Sequence, residues 1–354
     1  MSERLGKVRA SVFEAVIRPQ LGAERDDVLV GPATGRDTAI VALGDGRVMT
    51  ITTDPLSFIP GLGSEDSAWS SLHLIVNDVV TSGLEPAFAS VDLNLPPTVD
   101  DGDFAAYWAA LHRECERLNI AIVAGHTGRY GGDASDQGTV IGGGTILGIG
   151  DEMAYVAPRF TRTGDRLIVT KGAMIATTGL LARAFPSTVR TALGATFLER
   201  SQALLRHYPV SEDARAALSA GRRDDGVSAL HDATEGGVLG ALYELSLAAG
   251  LGARIDPDRI PIAKETVQIA QLFGLDPLTS LSEGSLIIAV RPHRATAVLQ
   301  ALDDRGIPAA DVGELFDTEP GLTLIHDDRD EPWDPPNGDP YWQAYADAVA
   351  AGWQ

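Results

Sequence analysis

The apolar residues of this 354-residue chain change their spacing along its length, and the changes mark out its elements. Thr38 to Asp54, TAIVALGDGRVMTITTD, reads as two strands about a Gly44-Asp45-Gly46 turn. Residues 67–82 switch to helical spacing, with Leu72, Val76 and Val79 on one face. A second helix is expected over about 104–118, where Phe104, Trp108, Leu111, Cys115 and Leu118 recur at helical spacing. Ile120 to Ala124 is a short apolar strand. From Gly125 the chain runs GHTGRYGGDASDQGTVIGGGTILGIG; its second half predicts a strand whose backbone is closely approached.

The pattern restarts around residues 155–165. RLIVT predicts a strand, GAMIATTGLLARAF a helix, and residues 236–249 another helix. LIIAV reads as a strand, and PHRATAVLQALDDR as a helix opened by proline. Strands and helices mix without strict βαβ alternation, which predicts an α+β protein of two domains, residues 1–155 and 156–330. The length agrees, because a single core of this size is unusual. A tail over 331–354 begins as a Pro-rich loop and closes with a short helix. The first twenty residues read as a short amphipathic helix without the apolar stretch of a signal peptide.

Hydrophobic residues make up 44% of the chain, enough for a sizeable core, yet no run of 18 apolar residues occurs. A membrane span is not expected, and the reading is cytoplasmic. The formal net charge is -21, which disfavours nucleic acid and anionic membranes as partners. Lys7, Lys171 and Lys264 are the only lysines among 28 basic residues. This balance suits a salt-rich, halophilic setting, and a GC-rich genome gives the same bias. A single cysteine, Cys115, excludes an internal disulfide framework and reads as a small buried hydrophobe.

The compact phosphate-binding loops and the common hydrolase signatures are missing. What remains is a series of aspartates at the ends of elements: Asp37 in GRDTA, Asp54 in TTDP, Asp78 in LIVNDVVTSG and Asp232 in HDATEGG. Carboxylates from separate elements suit a hard divalent cation held with a polyphosphate. Each also has a structural reading: Asp37 as a turn residue, Asp54 as a strand terminator, Asp232 as a helix N-cap. Asp78 is harder to explain that way, since the Asn77-Asp78 pair interrupts an apolar face. Gly236 and Gly237 open a helix after Thr234 and Glu235, a place where backbone N–H groups receive phosphate oxygens or simply start a helix. Lys171 stands at the start of the second domain's first helix, either solvated or facing a phosphate.

In order, GRDTA, TTDP, NDVVTSGLEP, GHTG, HDATEGG and SEGSLIIAV resemble the motif series of the aminoimidazole-ribotide-synthase-like (PurM-like) superfamily. That superfamily includes selenophosphate synthetase, thiamine-monophosphate kinase and the hydrogenase maturation factor of the HypE type. HDATEGG and GLDPLTSLSEGSLIIAV are most similar to the HypE branch. The resemblance spans residues 30–325 and implies a two-domain fold whose N-terminal domains pair into a β-barrel across a homodimer. It implies ATP and Mg2+ in the cleft, with Asp37, Asp54, Asp78 and Asp232 as metal or phosphate ligands. Asn77, Gly125, His126, Thr127, Thr234 and Gly236 are then nucleotide contacts. Asp78, Asp232 and Glu283 are the implied catalytic groups, and the γ-phosphate moves to an oxygen of an unnamed acceptor. A small-molecule kinase and a non-catalytic ATP-binding partner protein are the alternatives.

The chain also departs from the branch. His126 stands where HypE-type proteins and thiamine-phosphate kinases carry Asp, which puts the number of magnesium ions in doubt. His126 reads either as a hydrogen-bonded residue orienting a loop or as a metal or phosphate contact. Gly128 replaces a lysine of the branch, and the chain ends in AGWQ without that branch's terminal cysteine.

Overall fold

A computed structural model describes residues 6–8, 10–59, 61–130, 140–326 and 329–354. The expected N-terminal helix falls partly outside these residues, as does the stretch 131–139 of the glycine-rich segment. The described part of that helix is a turn, α1 (Ala10–Val12), continued by π and 3-10 turns to Gln20, largely exposed. It buries no apolar face, so nothing holds it in one regular helix.

The first half carries β1 (Val28–Val30), β2 (Ala39–Gly44), β3 (Arg47–Ser57), α2 (Gly63–Thr81), β4 (Phe88–Leu95), α3 (Asp101–Arg117), β5 (Ala121–Arg129) and β6 (Val140–Asp151). Its strands form one sheet in the order β1-β2-β3-β6-β4-β5. The expected hairpin is present, with Asp45 and Gly46 at positive φ between β2 and β3. β3 pairs with β6 along its length, from Arg47↔Asp151 to Ser57↔Val140. β4 and β5 run parallel and leave β5 at the sheet edge. β5 runs on from the expected Ile120–Ala124 segment through GHTG to Arg129, because each of its residues from Gly125 to Arg129 pairs with β4.

α2 lies across this sheet and is apolar enough to be buried along most of its length. Glu65 and Asp66 in its first turn complement the helix dipole. The glycines of β6 make the contact possible. A Cβ on Gly144 would lie 2.5 Å from Cδ1 of Ile75 in α2, and one on Gly150 2.6 Å from Leu84, just beyond the helix. α3 packs on α2, opened by Asp100, whose side chain accepts from the Asp103 N–H at 2.8 Å.

The second half carries β7 (Arg166–Thr170), α4 (Ile175–Ala184), α5 (Pro186–Leu193), α6 (Ala195–Ala203), α7 (Ser211–Ser219), β8 (Val227–Ala233), α8 (Gly237–Ala249), β9 (Gly252–Ile255), α9 (Lys264–Phe273), β10 (Ser285–Val290), α10 (Ala295–Asp303), β11 (Ala309–Phe316), β12 (Gly321–His326), β13 (Arg329–Trp333) and α11 (Pro340–Ala350). Its sheet has the order β13-β12-β9-β11-β7-β10-β8. β8, at the end of this order, and β10 beside it are buried at every residue. One core cluster joins the two halves, with Leu72, Val76 and Val79 of α2 against Ile168, Leu230, Leu286 and Ile288. The segment expected as a tail completes this half: residues 331–333 lie in β13, and α11 packs Tyr341 and Ala348 into a core with Phe185 and Phe273.

The helix expected from Gly172 starts instead at Ile175. Lys171, Gly172 and Met174 all take positive φ, held by Ala173 N–H on Pro261 O (2.9 Å) and Met174 N–H on Ser282 Oγ (2.6 Å). Lys171 is therefore neither a solvated helix start nor a free phosphate contact. Its ammonium is enclosed and donates to Pro209 O (2.7 Å) and Asp213 (3.1 Å).

Candidate active site

The close packing of α2 between the two sheets decides the site. It carries Asp78 to the face of β3 where Thr52 and Asp54 project, and toward Asp232 of β8. Thr52 Oγ1 donates to Asp78 at 2.8 Å. The Asp54 and Asp78 carboxyls lie close enough to share a hydrogen bond. Burial lifts Asp78 well above the usual carboxylate range, and the charges of Asp232 and Asp54 add to the effect. Burial also raises Asp54. Asp232 is lifted to about 7, first by burial and then by Asp37. Glu283, just before β10, is pushed well up by burial and Asp232, and shares a hydrogen bond with Tyr208.

Asp37 and Asp232 are joined by His231. One ligand atom from each of the three lies within 4.8 Å of the others. His231 Nδ1 lies 2.7 Å from Asp37 and Nε2 3.2 Å from Glu244 of α8. Burial opposes its charge, but Asp37 and Glu244 overcome this and raise it to about 10. Both of its ring nitrogens meet carboxylates, so it braces Asp37 between β8 and α8. The available donors are hard oxygens, which fit magnesium and not a soft metal. Asp232 Oδ2 and Glu283 Oε2 are buried with no hydrogen-bond partner, the signature of carboxylates arranged for a cation.

A divalent cation held by these oxygens would compete with protons for them. A carboxylate raised from 3.8 to about 7 keeps the folded state most stable below 3.8, and that stability is lost as pH rises through 7. Mn2+ binding is expected to tighten from pH 6 to pH 8 and to release protons, more at the lower pH. Calorimetry in two buffers of different ionisation enthalpy measures both; release of no protons at pH 6 rejects the assignment.

Other expected contacts lie elsewhere. Asn77 is buried and spends its amide on Tyr208 O and Val210 N–H, each at 3.0 Å, joining α2 to the second half. Gly236 has positive φ before α8, but its N–H donates to Asp339 Oδ2 at 2.7 Å. A carboxylate from the C-terminal segment thus takes the position expected for a phosphate oxygen. Thr234 Oγ1 accepts from Lys7 Nζ at 2.8 Å. Gly125, His126 and Thr127 lie exposed on the edge strand β5, and His126 pairs with Tyr130 Oη at 2.6 Å, not with the carboxylates.

His231, Glu244 and Lys7 belong to the site without having been read from the sequence. Two signals were there. His231 precedes Asp232 on a strand that is otherwise apolar but for Ser228, and Glu244 is the lone charge in the helix GVLGALYELSLAA. Lys7 gave none, being far away in the chain.

Comparison with known proteins agrees with this architecture. The N-terminal domain of AIR synthase related protein matches residues 35–149, and its C-terminal domain matches residues 162–325. The chain belongs to the AIR synthase related, PurM-like family, near the HypE branch. It is 28% identical over 318 residues to the carbamoyl dehydratase HypE of Escherichia coli strain K12, covering 88% of this chain and 86% of that protein. It is 24% identical over 353 residues to the selenide, water dikinase of Myxococcus xanthus, covering 90% and 93%. A crystal structure of the hydrogenase maturation protein HypE in complex with ATP superposes with a TM-score of 0.65 at 18% identity, over 95% of this chain and 97% of that one.

Proposed function

We propose that this protein is a Mg-ATP-dependent phosphotransfer enzyme that moves the γ-phosphoryl group onto an oxygen of a small-molecule or protein acceptor. The cluster of Asp37, Asp54 and Asp78, half-buried around the buried Asp232 with its unpartnered oxygen, carries this reading. These four carboxylates would hold the metal, and the metal would neutralise phosphate charge. Phosphoryl transfer asks little more of a protein than positioning and charge neutralisation. His231 holds Asp37 in position through the 2.7 Å contact of its Nδ1. Glu283 borders the same cluster, and its raised pKa suits an acid–base group acting on the acceptor. The likeness to an ATP-complexed HypE and to a dikinase supports nucleotide chemistry.

Cys115 is buried, and its thiol is pushed up to about 11 by burial, so it is closed to carrying a substrate group. Among the described residues no helix is long and apolar enough to cross a membrane. Nucleotide-dependent turnover is tested by phosphate release from ATP with and without Mg2+. Binding of Mg·AMP-PNP without any turnover would favour a non-catalytic partner protein.

The same reading includes a homodimer through the first sheet. Val123 of the edge strand β5 is 61% exposed, and Tyr130 and Val140 nearby are 53% and 58% exposed. An unpaired edge with apolar side chains is what a partner strand covers. Light scattering at micromolar protein is expected to give twice the chain mass, and Val123→Asp to shift it toward the monomer. A wild-type monomer removes the dimer from the proposal.

A further inference from the structure

The described N-terminal residues reach the carboxylate cluster. The Lys7 backbone N–H donates to Glu235 Oε2 at 2.7 Å, and its Nζ donates to Thr234 Oγ1 at 2.8 Å. Glu235 also accepts from Trp342 Nε1 at 3.2 Å. The approach is tight: a Cβ on Gly6 would lie 2.6 Å from Glu235 Oε2 and 2.8 Å from Trp342 Nε1. The Lys7 ammonium points inward although the residue as a whole is exposed. Burial of the ammonium would discharge it, but Glu244, Asp232, Asp37 and Asp78 outweigh that and keep it charged.

Among the described residues, two protein cations of different standing act on the cluster. His231 belongs to the buried strand β8 and is clamped on both nitrogens. Lys7 belongs to an exposed segment fixed by a few polar contacts. Lysine is also a compact point charge on a flexible stem, able to leave one partner for another. Nζ sits on Thr234, two residues from Asp232, and its charge is felt by Asp37, Asp78 and Asp232; a divalent cation among those carboxylates would repel it. Polyphosphate changes that balance by bringing negative charge of its own.

We infer that Lys7 is a displaceable counter-cation of the active site: it neutralises the carboxylates in the nucleotide-free protein, competes with a lone divalent cation, and yields when the metal arrives with polyphosphate. This rests on the proposed Mg-nucleotide site. It makes metal loading depend on nucleotide without any separate regulatory domain. The carboxylates are never left mutually unscreened, and free magnesium does not fill the site ahead of substrate.

The test uses the full chain and Mn2+ as the probe, followed by electron paramagnetic resonance of the free ion. Without nucleotide, Lys7→Met is expected to bind Mn2+ about tenfold tighter than wild type, a typical size for coupling between two sites. Lys7→Arg keeps the charge and is expected to stay close to wild type. With AMP-PNP present the advantage of Lys7→Met should shrink or reverse. Equal Mn2+ affinity of wild type and Lys7→Met without nucleotide, with both still binding Mg·AMP-PNP, overturns the role of Lys7 and leaves the nucleotide site standing. Failure of both proteins to bind Mg·AMP-PNP overturns the nucleotide site and this inference with it. Thermal melting of each variant shows that a folded protein was titrated; without nucleotide Lys7→Met is expected to melt below wild type, because the carboxylates lose a counter-charge, and Lys7→Arg close to it.

Discussion

Replacing Asp78 with Asn is expected to lower Mg-dependent ATP turnover by about 100- to 1,000-fold, the usual cost of one preorganised electrostatic contact in a transition state. Asn keeps the size of Asp and accepts the same hydrogen bond from Thr52 Oγ1. It removes one carboxyl from a cluster in which Asp54, Asp78 and Asp232 all hold raised pKa values, so the metal-free protein no longer has to bury that ionisable group beside the others. Its melting temperature without metal should therefore be equal to or above that of the wild type, while the stabilisation by Mg·AMP-PNP falls. The measurements are steady-state phosphate release and thermal melting with and without Mg·AMP-PNP. Turnover equal to wild type would mean that the metal does not sit where these carboxylates meet.

Replacing His231 is expected to act the other way, on stability first. His231 is 3% exposed in its side chain and bridges Asp37 and Glu244, themselves only 9% and 26% exposed. Removing one partner from a buried ionic network costs about 3–5 kcal/mol, because the remaining charges stay buried and unpaired. His231→Asn should therefore shift the urea midpoint strongly downward at pH 6. The pH dependence gives the sign. His231 is raised from 6.5 to about 10 in the folded state, so its contribution is complete below 6.5 and is lost as pH rises through 10. The gap between wild type and variant should be largest near pH 6 and should close toward pH 10. Added Mg2+ with AMP-PNP should recover part of the loss, since a cation at Asp37 replaces some of the missing positive charge. A gap that does not change with pH would show that packing, not the imidazolium, carries the effect.

Much of the site was readable because its residues break local patterns. Asp78 interrupts the apolar face of α2, and that conflict has the simple meaning that a carboxylate was wanted there. Asp37 and Asp54 flank a hairpin that alternation and a Gly-Asp-Gly turn define. Asp232 was expected where a loop enters a helix, and it lies instead inside β8. The neighbouring Thr234-Glu235-Gly236-Gly237 signals the helix start, but strand pairing with β10 reaches as far as Ala233. GHTG likewise reads as a loop in isolation and becomes strand because β4 supplies parallel partners. Lys171 was misplaced for the same kind of reason: contacts with Pro261 and Ser282, far along the chain, set its backbone.

The sequence by itself determined the elements with strong periodicity, the two-domain α+β class, and the ordered aspartates that mark the family. These follow from spacing, which one stretch of chain carries alone. Only the tertiary structure decided which charges meet. The Asp339 carboxylate on Gly236 N–H, the His231 imidazolium between Asp37 and Glu244, and the Lys7 ammonium on Thr234 join residues 103, 194 and 227 positions apart. Buried charge is stable only with a partner, and no local pattern names a partner that distant. The close packing of α2 against the glycines of β6 brings Asp78 to Asp54, and the core that α2 shares with the second sheet brings both to Asp232.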